Sequence, residues 1–178
     1  MPFADVNEIF SYDEALQIET WTGLHYDTII FDSDIDSWKT NQLFGQRVFT
    51  KKNLAVITED TNGNRFGGFV SSPIAKRNFY TEDPGAFMFS LRSNGRLEGM
   101  CRFPIFEGEK GRAFELYDDG QDYLFAFGNE MSIWVEDKKT MAWCDQHWYN
   151  YGGRLNCLSG SHFPTRFTPK NFVVAQFV

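Results

Sequence analysis

The feature that most constrains this chain is the run Phe66-Gly67-Gly68-Phe69-Val70, two adjacent glycines set between aromatic residues. It is entered from Thr61-Asn62-Gly63-Asn64 and preceded by the buried-strand run Leu54-Ala55-Val56-Ile57-Thr58. An Asn-Gly pair between two such runs is a strong hairpin signal, because tight hairpin turns need residues that tolerate positive φ. Glycine weakens a strand, so a pair inside one points to a bulge or to the close approach of another backbone or a bulky ring. A third run, Ala86-Phe87-Met88-Phe89-Ser90-Leu91, reads as a buried strand or one packed on both faces. The segment between them, Ala75 to Gly85, holds Lys76, Arg77, Asn78, Asp83 and Pro84, a composition that predicts an exposed loop.

The same grammar runs through the rest of the chain. Tyr26 to Phe31 precedes the hairpin as a strand. After a second Asn-Gly turn at Asn94-Gly95 come Leu97 to Phe103, Phe114 to Tyr117, Tyr123 to Phe127, Ser132 to Glu136, Met141 to Trp148 and Asn171 to Val178. Turn signals that recur about every 8–12 residues are how an antiparallel sandwich reads. Nineteen phenylalanines suit its half-buried pleated surfaces. Two helices flank the strands. Ser11-Tyr12-Asp13-Glu14 is a capping box for a helix over Tyr12 to Trp21, with Phe10 as a staple and Gly23 placed to end it. A second helix is predicted over Trp38 to Phe44, capped by Asp36 or Ser37. The expected fold is mainly β (α+β), an antiparallel β-sandwich of two sheets with two short flanking helices, in a single domain over residues 1–178.

Charge narrows the partners. Seventeen basic residues against 24 acidic ones leave a net charge of −7. That balance argues against nucleic acid and against an anionic membrane surface, both of which are bound through lysine and arginine. No apolar run approaches the roughly 20 residues of a membrane-spanning helix. Met1-Pro2-Phe3-Ala4-Asp5 lacks the basic and apolar regions of a signal peptide. Three cysteines make no disulfide framework, so the reading is a soluble, reduced, cytoplasmic protein, expected as a monomer.

The chemistry-bearing residues are sparse. Cys144-x-x-His147 and Cys157-x-x-x-x-His162 offer the donor types of a tetrahedral zinc site, although the intervals match no standard module. These four residues also carry the alternative of a small antioxidant or metal-dependent activity. Cys101 has Arg102 beside it, but neighbours on a strand point to opposite faces, which favours an inert, buried thiol. Asp32, Asp34 and Asp36 alternate as in a calcium loop, yet Ser37 and Leu43 stand where that loop needs glycine and a bidentate glutamate. No nucleophile elbow, metalloprotease helix or phosphate-cradling loop is present, so the expectation is no enzyme and no cofactor.

The order of these motifs resembles the TLDc domain: a helix ending in Trp21-Thr22-Gly23, a strand running into an acidic loop, Phe66-Gly67-Gly68-Phe69 followed by Ser72-Pro73, then Phe87-Met88-Phe89-Ser90-Leu91. Phe127-Gly128, Ser132 to Glu136, Cys144 and the closing apolar strand continue the likeness, which covers Ser11 to Val178. The resemblance implies a two-sheet sandwich with two helices and a non-enzymatic role in protection against oxidative stress. It also implies another protein as partner, with subunits of the vacuolar-type proton ATPase as candidates. Two loops pair charge with a large aromatic: the acidic loop Asp32 to Trp38 and the basic one Lys76 to Tyr80. Arginine and aromatics dominate interface energies, so Trp38, Arg77 and Tyr80 are the candidate partner-binding residues.

Overall fold

A computed structural model of the chain describes residues 10–178. The N-terminal segment Met1 to Asp5 lies outside the described residues. In chain order the strands are β1 (Tyr26–Asp32), β2 (Leu54–Asp60), β3 (Arg65–Val70), β4 (Tyr80–Thr81), β5 (Phe87–Arg92) and β6 (Cys101–Pro104). They continue as β7 (Phe114–Leu116), β8 (Tyr123–Phe127), β9 (Met131–Trp134), β10 (Trp143–Cys144) and β11 (Pro169–Phe177). Six form one antiparallel sheet in the order β1-β11-β2-β3-β5-β6, and five form a second in the order β10-β9-β8-β7-β4.

The glycine-bearing hairpin sits in the middle of the six-stranded sheet. Val56 pairs with Gly68 and Ile57 with Gly67. Side chains of alternate parity then go to two different cores. Leu54, Val56, Phe66, Met88, Phe172 and Val174 meet the five-stranded sheet in the sandwich interior. Ala55, Ile57, Phe89, Val173, Ala175 and Phe177 pack on the outer face, against Ala15 and Ile18 of the first helix, α1 (Tyr12–Thr22). This is why the strand sequences are nearly continuous apolar runs: both faces are covered. Of the two uses foreseen for paired glycines, a bulge or a close approach, the structure shows close approach, with the β2–β3 register unbroken through both. A Cβ on Gly67 would lie 1.7 Å from the Val56 carbonyl oxygen, and one on Gly68 would lie 2.8 Å from the Phe127 ring.

α1 is fixed at both ends as its sequence predicts. The Glu14 amide donates to Ser11 Oγ at 3.3 Å, and Gly23 closes the helix at φ +73 with its N–H bonded to the Glu19 carbonyl. Glu14 does more than complete the cap. Its carboxylate accepts from the buried Arg65 of β3, which ties the helix to the sheet beneath it.

Several boundaries differ from expectation. The second helix, α2, runs over Gln42–Val48 rather than Trp38 to Phe44, and its N-cap is Asn41. Trp38 is drawn into the interior beside Phe172, with ring centroids 5.1 Å apart, so the chain turns into the helix only afterwards. Asp36 caps nothing; its Oδ2 accepts from the Asp32 amide at 3.0 Å. The strand expected over Met141 to Trp148 shrinks to β10, because a carboxylate takes the amides beyond it, as described below. The strand expected from Leu97 begins only at Cys101, since Leu97 donates its amide to Ser93 Oγ in a turn. The expected exposed loop Ala75 to Gly85 contains β4 and the buried Asp83, which accepts from the Ser71 amide and hydroxyl.

Candidate functional site

β4 is an edge strand of the five-stranded sheet and carries Tyr80, 40% exposed. Tyr80 pairs in register with Glu115 of β7, and Glu115 shares a face with Tyr117 two residues on. Tyr117 meets Tyr123 of β8 at 4.9 Å between ring centroids, and Tyr123 meets Trp134 of β9 at 4.3 Å. The result is a row of half-buried aromatics on the outer face of this sheet, where α1 covers the outer face of the other. Partial burial raises the pKa of Glu115, with a hydrogen bond from Tyr117 opposing it. Tyr117 is pushed above the usual tyrosine range by burial and by the adjacent Glu115 carboxylate. Tyr117 therefore stays a neutral donor at physiological pH.

Beyond the edge, Tyr80 meets Trp148 edge-on at 6.1 Å, and the Arg112 guanidinium lies 4.0 Å above the Trp148 ring. Trp148 is held from beneath. Gly128, at φ +49, leaves the space its ring needs: a Cβ there would come within 2.7 Å. Its backbone is held by Glu130, a fully buried residue whose Oε1 accepts the amides of His147, Trp148 and Tyr149 at 2.7, 2.6 and 3.1 Å. Burial drives the Glu130 pKa up to about 7, with those three amides pulling in the opposite direction. Sequence reasoning missed Tyr117, Tyr123, Trp134, Trp148 and Glu130. The alternation Glu115-Leu116-Tyr117 already carried the signal that these two residues share an outward face.

The three candidate residues fare differently. Tyr80 stands on the aromatic row. Arg77 lies along α2: its guanidinium sits 4.8 Å from the Phe49 ring centroid and 3.4 Å from Asp119 Oδ1, and it fills the space beside Gly45. Trp38 is 6% exposed in the core, so its ring is not a contact surface. The acidic loop is likewise turned on itself, with Asp32 Oδ1 accepting the Asp34 amide at 2.9 Å and Arg47 reaching Asp36 at 3.5 Å.

The cysteine and histidine residues do not converge. Cys144 is buried with its sulfur 3.0 Å from Ser159 Oγ, and burial raises its pKa. Cys157 is buried too. His147 Nε2 lies 3.0 Å from Asp145 Oδ2, while His162 Nδ1 lies 2.8 Å from Asn156 Oδ1. Among the described residues no three His, Cys, Asp or Glu side chains form a metal-ligand set. Elemental analysis of protein purified without added metal should find far less than one zinc per chain. A stoichiometric zinc would require this segment to rearrange. The arginine that reaches Cys101 is Arg154, at 3.5 Å, and not its neighbour Arg102, which turns away to the Trp21 carbonyl.

The sandwich, its capped first helix and the double-glycine hairpin now stand together, and the sequence pattern of the TLDc domain matches residues 7–169 of the 178. The chain belongs to the TLDc domain family. The TLDc domain is generally a non-catalytic module. No curated protein matches this chain. No helix among the described residues is long and apolar enough to cross a membrane.

Proposed function

We propose that this protein is a non-enzymatic, cytoplasmic protein-binding module of the oxidative-stress response, acting on another protein through the outer face and β4 edge of its five-stranded sheet. The observation that carries this reading is the aromatic row Tyr80, Tyr117, Tyr123 and Trp134, extended past the edge by Trp148 under Arg112. Tyrosine, tryptophan and arginine held rigidly before binding lose little entropy on association, and they are the residue types that dominate interface energies. The family likeness supplies subunits of the vacuolar-type proton ATPase as the partner to try first. Arg77 contributes by holding the loop that presents Tyr80.

The test is capture of the purified peripheral sector of that ATPase by wild-type protein, by Tyr80→Ala and by Arg77→Ala with Tyr80→Ala. Loss of a hot-spot residue costs about 2 kcal/mol or more, so affinity should fall by about 30-fold in the single variant. Unchanged near-ultraviolet circular dichroism would show that the fold is intact. Capture at wild-type affinity by the intact double variant would remove this surface from consideration.

A further inference from the structure

The extended segment that delivers Trp148 to Tyr80 also builds a second feature. Trp143, Asp145 and His147, at alternate positions along it, line a groove of about 420 Å³ together with Asn129 and Phe163. That volume lies within the range of about 300–1,000 Å³ typical of ligand sites. Trp143 and Phe163 form its aromatic part, with ring centroids 6.2 Å apart at an interplanar angle of 74°. Asp145 and His147 form its polar part, joined Oδ2 to Nε2 at 3.0 Å. The backbone of both polar residues is held by one buried residue, Glu130. The Glu130 carbonyl accepts the Asp145 amide at 2.8 Å, and Glu130 Oε1 accepts the His147 amide at 2.7 Å. A site whose polar groups are pinned by buried hydrogen bonds is organised before anything binds.

We infer that this groove receives a cationic side chain, an arginine or lysine presented by a partner protein; the inference rests on the protein-binding reading above. Asp145 is the carboxylate that lines the groove. His147, whose Nε2 lies 3.0 Å from Asp145 Oδ2, is the second polar side chain lining the groove and holds that carboxylate in place. The two rings offer π faces, which attract a guanidinium or ammonium. Phe163 already has that use within the chain: the Arg166 guanidinium lies 5.4 Å from its ring centroid. Arg166 itself donates to the Met141 carbonyl, which fixes its position beside that ring. The net charge of −7 draws cationic segments towards the protein at long range.

The probe is the capped peptide Gly-Gly-Arg-Gly-Gly, compared with versions carrying citrulline or glutamate at the centre. Binding is followed by the Trp143 indole N–H resonance of nitrogen-15-labelled protein, assigned with Trp143→Phe. The arginine peptide should give saturable shifts. The citrulline peptide, of the same shape without the charge, should bind at least tenfold more weakly, and Asp145→Asn should lose the response while its other indole signals stay in place. Equal binding of citrulline, tighter binding of the glutamate peptide, or an undiminished response in Asp145→Asn would overturn the proposal. The citrulline comparison uses wild-type protein, so it stands even if the variant is unstable. Tyr80→Ala should leave the peptide response intact, which separates failure of the groove from failure of the Tyr80 surface.

Discussion

Alanine at Gly67 should abolish folding, although it adds only one methyl group. The added Cβ would sit 1.7 Å from the Val56 carbonyl oxygen and 2.8 Å from its carbon. No rotamer change relieves a collision with backbone; β2 and β3 would have to separate at the centre of the six-stranded sheet. Separation would also disturb β11, which pairs with β2 on its other side. The cost should exceed about 4 kcal/mol, the range reserved for the most disruptive substitutions and a large share of a typical total stability. Gly68 is the milder neighbour. Its added Cβ would meet the Phe127 ring at 2.8 Å and Met88 Sδ at 2.9 Å, and methionine can yield. Gly68→Val should therefore lower stability by about 1–3 kcal/mol through overpacking. Soluble yield and denaturant midpoints of the two variants check the pair. A folded Gly67→Ala protein with the wild-type midpoint would show that the strands are not packed this closely.

This glycine pair also marks what was legible in the sequence. Hairpins bounded by Asn-Gly turns, the capped α1 and the strand Tyr123 to Phe127 are local matters, set by φ preferences, capping hydrogen bonds and side-chain periodicity within a few residues. Elements decided by distant partners were not legible. α2 starts late because Trp38 finds Phe172, more than a hundred residues away, and because the Asn41 side chain accepts from the Gly120 amide at 3.2 Å. The strand expected after Met141 stops short because Glu130 takes its amides. A spacing of Cys and His residues could not reveal that Cys144 would face Ser159, or His147 face Asp145. Of the candidate surface only Tyr80 was read directly. The rest of the aromatic row is assembled by cross-strand pairing, which no single strand displays.

The pH dependence of stability should fall largely on Glu130. Its carboxyl is raised from 4.5 to about 7 in the folded protein, because burial opposes ionisation more than the three amide donors favour it. The folded state then holds this proton more tightly than the unfolded chain does. Its contribution to stability is fully present below pH 4.5, declines as pH rises towards 7, and is lost above. The interval corresponds to about 3 kcal/mol. Glu130→Gln keeps an oxygen for the amides of His147, Trp148 and Tyr149 but cannot ionise. The variant should match wild type near pH 5 and exceed it near pH 8, as measured by denaturant midpoints at the two values. Other titrating groups are common to both proteins, so the difference between them isolates this residue. Parallel curves would mean that Glu130 titrates as an ordinary carboxyl. The consequence reaches the surface, because this one side chain holds both Trp148 against Tyr80 and His147 beside Asp145. Ionisation strengthens the three amide hydrogen bonds but leaves a charge buried beneath the aromatic edge and the groove, a cost that Glu130→Gln avoids, so the variant should bind a partner at pH 8 at least as well as wild type does.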